Sequence, residues 1–417
     1  MSVMYIQGGV PLEGEWQVQG AKNSVLPILA GCLLTREPVA IANCPRLSDV
    51  EAAVDILHHL GARCTWEGDT LVVDAAGACG TSIDEGRMRA MRSSIIFLGP
   101  LAARMGEATL TYPGGCELGP RPIDLHLAAL REMGCRVEEA DGLITCMGKP
   151  RGGVVSLAFP SVGATENAML CAVGARGDTT IVNAAREPEI VQLQEFLNLL
   201  GGKVWGAGGS VITIQGGHQL HGGHISILGD RIVAATLLSG VAAAGGEVQV
   251  QGVDWRHLST VLQLFEQAGC RVRSGTRSIW FRRRRDTPMR AAPPIRTAPY
   301  PGFPTDAQAP VMAAFATARG TTIFQETIFS RRFGHVPGLR AMGADISLHG
   351  GGAWVRGVSG LHGAQVTATD LRGGGALAVA ALSAQGETQL SGLEHIDRGY
   401  ERLEEMFGRL GAQIQRR

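Results

Sequence analysis

The stretch YPGGCELGPRPIDLH, Tyr112 to His126, puts a thiol where it could do chemistry. Cys116 follows Gly114-Gly115, has no apolar residue on either side, and is followed five residues later by Arg121. A thiol near a cation ionises more readily and is more reactive. The same cysteine also fits a small spacer in a tight turn, since most cysteines are structural. Other chemistry-bearing residues stand where small, apolar helices begin: Lys22-Asn23, Arg92, Thr165-Glu166, Asp230-Arg231, Thr305-Asp306 and Asp370 with Arg372. Helix N-termini carry partial positive charge and free N–H groups, so added Lys and Arg suit them to anions.

The elements that must position these residues repeat. Six apolar helices end in LGA or a near match, at Gly61, Gly134, Gly201, Gly269, Gly343 and Gly411, with spacings of 73, 67, 68, 74 and 68 residues. Each glycine reads as a C-cap before a strand. The Asp-Gly of CRVEEADGLITC marks a hairpin turn. Interleaved with these helices are six small-residue helices, among them AKNSVLPILAGCLL, MRSSIIFLGPLAARMG and DRIVAATLLSGVAAAGG. The unit is helix, strand, helix, strand, strand, about 70 residues long and present six times. Such a unit cannot bury both faces alone, so units must pack on one another. Two closed groups of three, divided near residues 222–230, make the compact solution. Pseudo-symmetry would gather the polar helix starts in a cleft between the halves, as an anion trap.

Composition removes several function classes. In 417 residues, Lys+Arg and Asp+Glu are each 38, so no bulk charge draws nucleic acid or an anionic membrane. The run Arg282 to Arg285 reads as the tip or edge of a hairpin, where charge blocks edge pairing. Nine scattered cysteines without CxxC argue against a disulfide framework or a zinc site. No cluster has metal-ligand spacing, no phosphate-loop glycine pattern is present, and no cofactor is expected. The N-terminal residues do not read as a signal peptide, and no apolar run is long enough to span a bilayer. The expectation is a soluble, reduced, cytoplasmic protein.

The motifs GAKNSVLP, PGGCELGPRPIDLH, RTAPYPGFPTDAQA, RRFGHVP, ATDLR and HIDRGYERLE, in this order from about residue 5 to residue 415, resemble those of the UDP-N-acetylglucosamine enolpyruvyl transferases. The resemblance implies an α/β fold of two inside-out, barrel-like domains, each of three repeated units, with an interdomain cleft. It places them at residues 22–229 and at 1–21 plus 230–417, the N-terminal strand completing the second. It implies transfer of enolpyruvyl from phosphoenolpyruvate to the 3-hydroxyl of UDP-N-acetylglucosamine, with release of phosphate. That reaction is the first committed step toward bacterial peptidoglycan.

Roles follow by resemblance, position by position. Cys116 matches the proton donor to phosphoenolpyruvate and the thiol alkylated by fosfomycin. Asp306 matches the candidate base for the sugar hydroxyl, although an N-cap role is the plainer reading. Asp370 matches a second aspartate. Lys22, Asn23, Arg121, Arg332, Arg372 and Arg398 match phosphoenolpyruvate-binding positions. Asn23, Arg92, Arg121, Pro122, Ile123, Asp124, Leu125, Ser161, Val162, Gly163, Asp306 and Ile328 match contacts to the nucleotide sugar. His126 reads as structural. The Gly-Gly-Cys loop reads as a lid ordered by the sugar nucleotide.

Three departures stand out. Phe159-Pro160 replaces a lysine found in some family members. Val233 stands where an acid is common. Gly373, Gly374 and Gly375 replace mixed alanine and serine, which should loosen the helix start after Arg372. These departures leave a second reading: a weakly catalytic paralogue that binds UDP-N-acetylglucosamine as a regulatory partner. A cysteine hydrolase lacks a convincing His/Asn pair near a Cys-bearing helix start.

Overall fold

The computed structural model describes residues 2–114 and 123–417. Cys116, Arg121 and Pro122, with the loop read as a lid, lie outside the described residues. The chain forms two compact units. One holds residues from Gly20 to Leu228, the other the N-terminal stretch through Gln19 together with Gly229–Arg417.

Among the described residues, six four-stranded sheets, three to a unit, share one layout. A short strand runs parallel to its neighbour, which is antiparallel to a third strand, and the third pairs antiparallel with a fourth. Val154–Ser156, Asp178–Val182, Val211–Gln215 and Lys203–Trp205 show the order. The repeat pattern contains no sign of the parallel strand, because it is often too short to show alternation: Ser82–Ile83 and Ile295–Arg296 are two residues each. The N-terminal stretch, read as one strand, forms two. Met4–Gln7 enters the last sheet, while Leu12–Gln17 lies parallel to Gly246–Gln251. The Asp-Gly hairpin is as expected. Asp141 and Gly142 both have positive φ (52° and 77°), the backbone of a type I′ turn. All six LGA-type glycines have φ between 78° and 104°, the left-handed backbone of a helix stop.

The first half of the arginine run corrects an expectation, while Arg284 and Arg285 lie beyond the strand at a turn. Ser278–Arg283 is an interior strand, with Arg282 opposite Glu247 on one side and Arg271 on the other. The apolar alternation of Ile279 and Phe281 draws the strand inward, and Glu247 takes up the Arg282 charge at 3.4 Å.

The small-residue helices lie inside and the sheets outside. We number them α1 (Lys22–Gly31), α2 (Leu98–Met105), α3 (Val162–Val173), α4 (Arg231–Ala244), α5 (Thr305–Phe315) and α6 (Leu371–Ser383). Every residue of α4 is buried, and α4, α5 and α6 pack mutually. A helix surrounded by protein must be apolar all round, so charge is confined to its ends. The helix expected over MRSSIIFLGPLAARMG is split. Arg92–Phe97 is a 3₁₀ turn, because Pro100 lacks an N–H and the Gly99 N–H donates to Asn167 Oδ1 (2.6 Å) rather than along the helix. Among the described residues no helix is long and apolar enough to cross a membrane.

The glycine run opening α6 is a packing requirement rather than slack. A Cβ on Gly373 would lie 2.6 Å from Asp370 Oδ2, on Gly374 2.6 Å from Ile396 Cγ1, and on Gly375 2.6 Å from Tyr400 Oη. Helix propensity alone favours Gly375→Ala by up to about 1 kcal/mol. Overpacking costs about 1–3 kcal/mol and should win. Urea unfolding of Gly375→Ala is expected to show a net loss of about 1–2 kcal/mol; a gain would mean the contact is soft.

Candidate active site

In the second unit the start of α5 carries Asp306. Its carboxylate accepts from Arg332 Nη2 (2.7 Å to Oδ1) and from Arg372 Nη2 (3.1 Å to Oδ2). The two arginine side chains are only 2% and 3% exposed, and the Asp306 side chain 27%. Arg332 also donates from Nε and Nη2 to the Thr305 carbonyl (3.3 and 3.2 Å), which ties it to the helix start. Burial works against the charge on Arg372, but Asp306, with Tyr400 and Asp230, outweighs it and holds the guanidinium above its ordinary value. Its Nε and Nη1 are buried without a hydrogen-bond partner among the described residues.

Asp370 caps α6. One oxygen accepts from the Arg372 and Gly373 N–H groups, both at 3.0 Å. The other, Oδ2, lies toward Gly373 and Gly334. His335 packs beside it, with both ring nitrogens buried and unpartnered among the described residues. Burial pushes its pKa down, so the ring is neutral at pH 7. Asp370 is the N-cap of α6, whereas Asp306 lies inside α5, whose N-cap is Pro304. The N-cap reading of Asp306 therefore gives way to an ion cluster, and it is Asp370 that caps its helix. Ile328 stands in a loop organised by Glu326. Oε1 of Glu326 accepts from the Ile328 and Phe329 N–H groups (2.7 and 3.1 Å), and Oε2 from the Thr305 hydroxyl at the start of α5 (3.0 Å). Arg398 is half-buried. The Gln19 amide brackets the following residues, donating to Gly399 O (3.2 Å) and accepting from the Glu401 N–H (2.8 Å).

In the first unit Lys22 opens α1, and its Nζ lies 2.6 Å from the buried Asp49. Asn23 follows, half-buried. Arg92 donates to the Pro113 and Gly114 carbonyls (3.2 and 3.1 Å), holding the backbone that leads toward Cys116. Ile123, Asp124 and Leu125 begin the helix Asp124–Glu132, while Ser161 caps α3. These two helix starts meet through His126. Asn167 Nδ2 donates to His126 Nδ1 (3.1 Å), so the ring proton sits on Nε2. The ring lies against Gly163, where a Cβ would come within 3.0 Å of it. The structural reading of His126 stands. Phe159 is exposed just before α3, and Val233 is buried in the first turn of α4, where an acid would need a partner. Burial, then Glu189 and Glu187, raises Glu166 well above the usual carboxylate range, which suits a neutral buried acid.

Sequence reasoning missed Asp49, Glu326, His335, Tyr400 and Gln19. His335 and Tyr400 lie inside motifs quoted above, but only their burial distinguishes them. Asp49, Glu326 and Gln19 show their role only once their distant partners are known. Among the described residues the cysteines are free thiols and most are buried; burial pushes Cys64 and Cys270 up to about 12. Also among the described residues, no group of His, Cys, Asp and Glu is placed to hold a metal ion.

The family model for EPSP synthase (3-phosphoshikimate 1-carboxyvinyltransferase) matches residues 6–407. This chain belongs to the enolpyruvyl transferases. It is 46% identical over 417 residues to UDP-N-acetylglucosamine 1-carboxyvinyltransferase 2 of Caldanaerobacter subterraneus subsp. tengcongensis, covering 100% of both chains. It is 48% identical over 419 residues to UDP-N-acetylglucosamine 1-carboxyvinyltransferase 1 of Symbiobacterium thermophilum, covering 99% of this chain and 94% of that one. The fold is that of the enolpyruvyl transferase NikO from Streptomyces tendae, with a TM-score of 0.89 at 24% identity, covering 100% of this chain and 98% of that one. EPSP synthase from Acinetobacter baumannii shares it with a TM-score of 0.75 at 18% identity, covering 100% of both. The chain is therefore an α/β transferase of the enolpyruvyl class, as the motifs implied.

His126 gives this enzyme a pH signature. Burial, and then Arg92, lower its pKa from 6.5 to about 4. Between those values the unfolded chain binds a proton that the folded chain refuses, so stability falls as pH drops from about 6.5 toward 4. At pH 4.5 the loss from this ring alone is about 2 kcal/mol. Urea unfolding at pH 7 and 4.5 should show that His126→Gln narrows the difference by about that amount. Equal differences in the two proteins would show that the ring does not titrate in this way.

Proposed function

We infer that this chain transfers enolpyruvyl from phosphoenolpyruvate to the 3-hydroxyl of UDP-N-acetylglucosamine and releases phosphate. The observation that carries this reading is Asp306 held by two buried guanidiniums at the start of α5, in a chain 46–48% identical over nearly its whole length to enzymes named for that sugar nucleotide.

The chemistry assigns the parts. The sugar oxygen adds to C2 of phosphoenolpyruvate while C3 takes a proton, giving a tetrahedral centre. Loss of the C3 proton and cleavage of the C2–O bond to phosphate then restore the double bond. Asp306 takes the proton of the sugar hydroxyl, and Cys116 supplies the proton to C3. A carboxylate held by two guanidiniums is a weak proton acceptor. An anionic substrate that draws N–H donors from Arg332 and Arg372 releases its lone pairs, so that the base is armed when phosphoenolpyruvate is bound. Lys22, Arg121 and Arg398 add the fixed cations that a phosphate and a carboxylate need. Asp370, which holds the start of α6 through one oxygen, keeps the other for proton handling. Asn23, Arg92, residues 121–125, the Ser161–Gly163 turn and Ile328 bind the nucleotide sugar, with the backbone N–H groups at the start of α3 suited to its diphosphate. The product places the enzyme in bacterial cell-wall synthesis, in the cytoplasm.

Phosphate release from phosphoenolpyruvate, measured with and without UDP-N-acetylglucosamine, tests the reaction. Release that depends on the sugar nucleotide is expected, and none would refute the assignment. Fosfomycin tests the thiol: it is expected to inactivate the enzyme and add its mass to the peptide carrying Cys116. An unmodified Cys116 in active enzyme would contradict a reactive thiol there.

A further inference from the structure

Arg372 is buried, shares one nitrogen with Asp306, and leaves the Nε–H and both Nη1–H bonds without a partner among the described residues. Buried N–H groups of this kind require an explanation, and an anion supplies one. A single bond to Asp306 does not fix the plane of a guanidinium. A second contact does. The guanidinium carbon lies 5.5 Å from the centre of the Tyr400 ring, within cation–π range.

Tyr400 is itself held on every side. It is 2% exposed, and its hydroxyl lies 2.9 Å from Thr236 Oγ1. Thr236 donates its one proton to the Ile232 carbonyl (3.0 Å), so Tyr400 donates to Thr236. The Gln19 amide clamps the backbone on both sides of Tyr400, at Gly399 and Glu401. Gly375, one turn beyond Arg372 on α6, leaves the room: a Cβ there would stand 2.6 Å from Oη and 3.0 Å from Cζ. A continuous path of contacts therefore runs from Thr236 on α4 through Tyr400 to Arg372 on α6 and Asp306 on α5.

We propose that Tyr400 is a positioning residue for the reaction, its ring setting the plane of Arg372 and its hydroxyl, anchored on Thr236, setting the ring, so that the free N–H groups of Arg372 meet the anion of phosphoenolpyruvate. Tyr400 touches no reacting atom and acts through Arg372. The proposal rests on the reading that Arg372 contacts phosphoenolpyruvate. It accounts for Gly375 as the residue that admits the ring, and for Thr236 as a polar side chain inside an apolar helix.

The test uses the purified full chain, with initial rates at varied phosphoenolpyruvate and varied UDP-N-acetylglucosamine. Tyr400→Phe keeps the ring and removes the anchor. It should raise KM for phosphoenolpyruvate about fivefold, the scale of one hydrogen bond, and leave KM for the sugar nucleotide within about twofold. Thr236→Val should do the same while also lowering Tm, since it strands the tyrosine hydroxyl. The double variant should recover Tm, because both partners are gone, but not KM. A fall in Tm with both KM values unchanged in all three variants would make the contact merely structural and overturn the proposal. So would KM effects that multiply in the double variant. Arg372→Lys separates the two levels. If it turns over like the wild type, the reading of Arg372 as a substrate contact fails. If it is crippled while Tyr400→Phe keeps wild-type KM values, only the positioning role fails.

Discussion

Two guanidiniums with almost no access to water share one carboxylate at Asp306, and the architecture of the second unit follows from supplying that arrangement. Burying a charge is costly unless it is paired and hydrogen-bonded. Arg332 arrives from a loop, Arg372 from the first turn of α6, and Asp306 from the first turn of α5. None can be moved alone. Removing the carboxylate leaves two buried cations, and removing one arginine alters the charge felt by the other. The helices behind them are built from small apolar residues because they are covered on all sides, so their starts are where charge can stand.

The first unit solves the same problem with other groups. Lys22 at the start of α1 is balanced by the buried Asp49. The starts of α3 and of helix Asp124–Glu132 are joined by a neutral imidazole rather than a charge, because His126 is too deeply buried to hold a proton. Glycine recurs wherever such ends pack closely. Gly163 admits the His126 ring and Gly375 the Tyr400 ring. The glycine run of α6, which by propensity alone looks like a defect, is better understood as three separate close approaches.

Much of this was legible in the sequence, for identifiable reasons. The LGA-type glycines stand out because a helix stop needs a left-handed residue, and all six adopt it. The buried helices and their polar starts are visible because burial on all sides demands small apolar side chains. What could not be seen is what depends on distant partners. The two-residue parallel strands have no periodicity to detect. The split before α2 depends on Asn167, 68 residues from the N–H it accepts. Arg282 looked like an edge residue until Glu247 and Arg271 were found on either side. Asp306 had the sequence context of a helix cap, and only the folded chain shows Asp370 in that role and Asp306 in the ion cluster.

Asp306, Arg332 and Arg372 act as one electrostatic unit. A double-mutant cycle on Asp306→Asn and Arg332→Met, read as unfolding free energy in urea, measures this directly. Strong non-additivity is expected, with a coupling of about 1–3 kcal/mol. Effects that add to within about 0.5 kcal/mol would contradict it, because independent residues 2.7 Å apart would not be sharing a charge.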